Sequence, residues 1–195
     1  AVVDVLTGQI VLTLLGVAPA AVESGQLWRV LTYGVTSYPI LGFGLLTLAI
    51  NILIMVMIGR SLEPALGTRR YLAVYFTGVL VGGALFTLFA PGGVLAYGFS
   101  AGVLGLIAAN AALKLRMGGD IKGDLILLAI LVGFSLIVSL GSMYWLIQIG
   151  SALGAGAAAW VISAAPQQNR SRTQVLGVAA IWLVALALVG VRILV

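Results

Sequence analysis

The chain is a succession of long apolar runs separated by short polar breaks. Uninterrupted apolar segments occupy residues 43–58, 72–89, 100–113, 125–140, 144–165 and 175–195. A bilayer crossing takes about 20 apolar residues, so each run predicts a transmembrane helix. The third and fourth are shorter than a full crossing and span only if neighbours bury them or the protein thins the bilayer. The first forty residues follow another pattern. Residues 2–17 are apolar but carry Asp4, Thr7, Gly8 and Gln9, and Pro19, Glu23, Ser24 and Gly25 then break the run. Residues 1–40 therefore read as a helix end plus an interfacial segment. The chain opens without a methionine and reads as starting inside a span, and its start lacks the basic residues of a cleavable signal peptide.

Composition agrees with this pattern. Hydrophobic residues make up 62% and charged residues 8% of the chain, and the mean hydropathy is +1.22. These values belong to a polytopic membrane protein. The expected fold is an all-α transmembrane bundle of about six or seven helices in one domain, 1–195. With no cysteine and no histidine, the sequence predicts no disulfide, no thiolate chemistry and no metal or cofactor. The net charge of +5 comes from ten basic residues scattered through short loops. That is a membrane-topology pattern rather than a nucleic-acid surface. Arg60, Arg69, Arg70, Lys114, Arg116, Lys122, Arg170 and Arg172 all fall in loops on one side, which marks that side as cytoplasmic; only Arg29 and Arg192 lie opposite. Ser100 and Gln148 then share a depth towards the outer face.

The candidate chemistry centres on Gly98-Phe99-Ser100-Ala101-Gly102 at the start of an apolar helix. A serine that attacks a carbonyl needs a base, usually imidazole, and this chain has none. Small residues form stripes on two helices: Gly98, Gly102, Gly105, Ala109 and Ala112 on one, and Ser151, Ala155 and Ala159, beside Gly150 and Gly154, on the other. Such stripes predict close helix contact in lipid, and Gln148 shares the second stripe's face. Trp28-Arg29 fits an interfacial anchor with a snorkelling cation. Glu63 with Arg69 and Arg70 is placed to brace a loop as an ion pair. Asn51, within a span, needs a polar partner or cavity, and so does Asn110. Tyr144 and Trp145 read as interfacial belt aromatics.

Together these segments resemble the rhomboid intramembrane serine proteases. The resemblance rests on Trp28-Arg29 with Leu31-Thr32-Tyr33-Gly34, Asn51, Glu63-x-x-x-Gly67-x-x-Arg70-Tyr71, Gly98-x-Ser100 and Ile149-Gly150-Ser151-Ala152-Leu153-Gly154, in that order. It implies that 43–165 holds the rhomboid core helices, that 1–40 is the end of helix one with a partly embedded loop, and that 175–195 is an extra C-terminal helix. It also implies that Ser100 is the nucleophile position and Gln148 the base position. Thr47 stands where the family has an oxyanion-binding histidine near Asn51, and Ser37 stands where a further histidine commonly closes the Trp-Arg segment. A glutamine amide accepts and donates hydrogen bonds but is no base near neutral pH.

The sequence reading is thus a pseudoprotease. It would bind transmembrane segments of client proteins against a Ser100, Asn51 and Gln148 cavity, with the lipid bilayer as its other partner and no nucleic acid. One alternative is a structural subunit of a larger membrane complex, docked through its small-residue faces and the Trp182 helix. Another is an active intramembrane serine protease using water or a partner's base. The loop charges point to a bacterial plasma membrane.

Overall fold

The computed structural model describes residues 10–37, 44–138, 143–165 and 170–194. Asp4, Thr7, Gly8 and Gln9 of the opening segment lie outside the described residues. The elements are α1 (Ile10–Leu15), α2 (Pro19–Glu23), α3 (Arg29–Thr32) running into a 3-10 turn (Tyr33–Val35), α4 (Gly44–Leu66), α5 (Thr68–Phe89), α6 (Phe99–Arg116), α7 (Lys122–Val138), α8 (Trp145–Ala164) and α9 (Arg170–Leu194). Among the described residues, extended pairing is confined to one bridge between Val17 and Ala96. Five helices, α4, α5, α6, α8 and α9, are long and apolar enough to cross a membrane. The sixth long helix, α7, has 17 residues. Helical form follows from the composition, because a lipid-embedded backbone must satisfy its own hydrogen bonds.

Several helices outrun their apolar stretches. The first predicted span ends at 58, yet α4 continues through Arg60, Glu63 and Pro64 to Leu66. Arginine stems extend along apolar surface with the charged head at its edge, so charge does not end a helix there. Gly67 ends it, with φ +81°, a conformation that favours glycine. The chain then reverses directly into α5.

The core is a three-helix wedge in which α8 lies between α5 and α6. Ser151 and Ala155 of α8 sit against both neighbours. An added Cβ on Gly78 of α5 would come 2.9 Å from Ala155, and one on Gly105 of α6 would come 2.9 Å from the Ser151 carbonyl. Gly150 and Gly154 turn to α5 instead, where a Cβ on Gly150 would lie 2.7 Å from Gly82 Cα. The two predicted stripes therefore meet, with α5 and its own glycines as the third member. Lipid gives helices no hydrophobic drive to associate, so backbone approach through small residues supplies the contact.

Polar bonds fix the periphery. At the Lys114 end of the bundle, Asn110 Nδ2 donates to Asp124 Oδ1 at 2.8 Å and Lys114 Nζ to Asp124 Oδ2 at 2.7 Å. Ser61 Oγ donates to Asn110 Oδ1 at 3.2 Å, tying α4 to α6 and α7. The C-terminal helix α9 is bonded to the rest of the chain at three depths. Gln174 Nε2 donates to the Ile162 carbonyl and its Oε1 accepts from Arg70 Nε; Trp182 Nε1 donates to Thr77 Oγ1; Arg192 Nε donates to Glu23 Oε1. Trp182, read from sequence as available to a partner, is thus engaged within the chain.

Candidate functional site

The Ser100 end is built on buried backbone carbonyls. Arg29 is buried, and its guanidinium donates to the Thr13 and Gly16 carbonyls at 2.6 and 2.8 Å and to Gln26 Oε1 at 2.6 Å. Thr32 Oγ1 adds a bond to the Leu15 carbonyl. These are carbonyls at the C-terminal end of α1, which have no intrahelical partner. Arg29 is therefore a brace and not a snorkelling cation, whereas its neighbour Trp28 is exposed.

That brace sets Tyr33. Its phenol is fully buried and donates to the Val79 carbonyl at 2.6 Å, while its own carbonyl accepts from Gly98 N at 2.9 Å. Desolvation by burial holds the phenol well above its ordinary pKa, so it remains a donor at neutral pH. A side chain on Gly98 would collide with the Tyr33 ring. Phe99 N donates to the Thr36 carbonyl at 3.0 Å, and Tyr75 Oη donates to the Gly34 carbonyl at 2.8 Å. The loop and α5 thereby fix where α6 begins, and with it Ser100.

Ser100 occupies the first turn of α6 and is half-buried. Its Oγ lies 2.8 Å from the phenol oxygen of Tyr144, at the N-terminus of α8. Tyr144 is therefore a partner of Ser100 rather than only a belt aromatic. It lies one helical turn before Gln148 on the same face, a spacing visible in the sequence. Gln148 is 8% exposed and its Oε1 has no hydrogen-bond partner. Among the described residues, the other buried side-chain atom without a partner is Thr87 Oγ1. Such an orphan costs about 1–3 kcal/mol relative to a bonded one, which makes Gln148 Oε1 an acceptor waiting for a donor. Beneath it, Ser151 Oγ donates to the Gly78 carbonyl at 3.0 Å.

The remaining sequence candidates sit on α4 and beside the 3-10 turn. Asn51 is on α4, half-buried and without a side-chain hydrogen bond among the described residues. Thr47, one turn earlier, is exposed, and Ser37 is half-buried beyond the 3-10 turn. Glu63 makes no ion pair with Arg69 or Arg70: its Oε1 accepts from Thr68 Oγ1 at 2.8 Å, and Arg70 reaches Gln174 and the Leu66 carbonyl. The loop brace is built from a hydroxyl and an amide because Glu63 is exposed, where an isolated ion pair contributes little. Gln174 escaped the sequence reading, which began its last span one residue later.

No group of three or more metal-ligating side chains occurs among the described residues. Chemically, the end offers a hydroxyl bonded to a phenol, and an amide with a free acceptor. The basic groups near Ser100 in sequence are remote: Lys114, at the other end of α6, is about 21 Å along the axis at 1.5 Å per residue and is paired with Asp124.

A family model of the Rhomboid domain matches residues 24–166. A "Rhomboid-like protease 3" of Toxoplasma gondii is 33% identical over 133 residues, covering 63% of this chain and 48% of that protein. The chain thus spans about half the length of this curated relative. No solved structure matches. The matched span runs from just before α3 to the end of α8 and takes in Arg29, Tyr33, Ser100, Tyr144 and Gln148, and this integral, multi-pass membrane protein belongs to the rhomboid family.

Proposed function

We propose that the protein recognises transmembrane segments of client proteins and does not cleave them. The observation that carries this reading is the pairing at the Ser100 end. The hydroxyl's partner is a phenol, Tyr144, and the base position implied by the family holds Gln148 with an unpartnered, buried Oε1. A triad-type hydrolase without its base falls by several orders of magnitude, to what binding and the oxyanion hole supply. An unpartnered acceptor at that depth suits a donor from a client, such as a locally unwound backbone N–H or a serine or threonine hydroxyl. The loop charges support a bacterial plasma membrane with Ser100 towards the outer face.

A second reading, proteolysis, is favoured by the name of the Toxoplasma relative and by the presence of Ser100 itself. Reconstitution with a panel of transmembrane substrates separates the two. The native chain is expected to retain substrates uncut in a co-purifying complex, and Gln148→Leu, which removes the acceptor, to release them. Processing that disappears in Ser100→Ala would replace the binding reading by the enzymatic one.

A further inference from the structure

On the side of α8 away from Gln148, an apolar groove of about 330 Å³ opens between α8 and α9. Its floor is Val81 and Gly154, and Leu153, Ala157, Val184 and Leu188 are among its walls. Leu153 and Ala157 lie on the α8 face opposite Gln148, Ser151 and Ala155 at 100° per residue, so this groove is separate from the candidate site. Gly154 cannot fill it, because its side-chain position is already taken up by Val81 and the Thr77 carbonyl.

The dimensions select an occupant. Along α9 the groove runs from Ala180 to Leu188, about 12 Å at 1.5 Å per residue. That is close to one leaflet's half of the roughly 30 Å hydrocarbon core and far short of a whole transmembrane partner helix. The groove occupies the middle of α9 and its Arg192-side half. Arg192 continues the Ile181, Ala185, Leu188 stripe by one further turn. Its Nε donates to Glu23 Oε1 at 2.7 Å, and its side chain is 32% exposed. A guanidinium carries five donors, so others are available to an anion, and a phosphate is the geometry it matches.

We propose that this groove is a phospholipid site. One acyl chain of the leaflet on the Ser100 side lies along residues 180–188 with its tail over Gly154, and the phosphate is held by Arg192.

The test uses the full chain in phosphatidylcholine vesicles doped with phosphatidylglycerol that carries a diazirine near the end of one acyl chain. Photolabelling is expected to concentrate on peptides containing Leu153–Ala157 and Ala180–Leu188, above the level on the exposed face of α4. Ala157→Phe, and separately the milder Ala180→Leu, fill the groove from exposed positions and should lower that labelling to the α4 level. Trp182 fluorescence and a monodisperse elution profile report that each variant is folded. Arg192→Gln should weaken affinity about tenfold, the loss of one charge-assisted bond, and so lower labelling about fivefold in half-saturating lipid, while Glu23→Gln, which leaves the cation, should not. Equal labelling of α4 and the groove would mean annular lipid only and overturn the proposal. An equal loss in Glu23→Gln and Arg192→Gln would assign the effect to the ion pair and overturn the headgroup assignment. Absence of labelling at these peptides, with a bifunctional reagent joining two copies of the chain there instead, would replace lipid by a protein occupant.

Discussion

Helices α4 and α5 are consecutive, and an 18-residue stretch of each has the same mean hydropathy, 2.0, yet 6% of the first stretch and 61% of the second is buried within the protein. In water such equal sequences would be buried alike; in lipid apolar character carries no preference between tails and neighbours. The difference is written in small and hydroxyl residues. The stretch Gly78, Gly82 and Gly83 lets α5 meet α8 and the Tyr33 loop at backbone distance. Along α4 the residues before Gly59 are mostly bulky and lipid-exposed, with Leu46, Leu53, Val56 and Met57 facing outward. The helix is held chiefly at its far end, by Leu62, Leu66 and the Ser61–Asn110 bond. The half of α4 that carries Asn51 and Thr47 is therefore the part of that helix least buried by its neighbours.

The largest effect should follow from closing the small-residue approach. Gly82→Val places its side chain on the Ile147 carbonyl and Ser151 Oγ, and with no flexible group to yield, it should cost about 3 kcal/mol or prevent folding. On α4, Leu53→Phe should stay within about 0.5 kcal/mol, as exposed substitutions do. Unfolding in mixed micelles measures both, and equal losses would mean that α4 and α5 are packed alike. Next comes Arg29→Met, which strands the Thr13 and Gly16 carbonyls and should cost about 2–3 kcal/mol. Arg29→Lys should recover part of it.

Smaller effects sharpen the contrast. Gln174→Leu removes the link between Arg70 and the Ile162 carbonyl and should cost about 1–2 kcal/mol in the same assay. Ser61→Ala should change stability by less, about 0.5–1 kcal/mol, yet raise hydrogen exchange selectively in α4. Unchanged exchange in α4 would mean that this bond does not anchor the helix.

How much of this was legible in the sequence depends on the kind of interaction. Helix positions were legible, because a lipid-embedded backbone leaves one solution, and the α6–α8 contact was legible from its stripes. Their ends were not, since Arg60 and Glu63 tolerate helix at the membrane edge. Arg29 was misread because an arginine beside tryptophan fits an interfacial anchor as well as a carbonyl brace; only the position of α1 distinguishes them. The Ser100–Tyr144 bond joins residues 44 apart in sequence. Its one sequence signal was the placement of Tyr144 a turn ahead of Gln148.

The binding reading rests on Ser100 being an unactivated hydroxyl. The direct measurement is covalent labelling of the reconstituted protein by a fluorophosphonate, which reacts with activated serines, with Ser100→Ala and Gln148→His alongside. Labelling of the native chain is expected to be no higher than that of Ser100→Ala, and to appear in Gln148→His. Rapid, stoichiometric modification of Ser100 in the native chain would contradict it and make Tyr144 the first residue to test as the activating group.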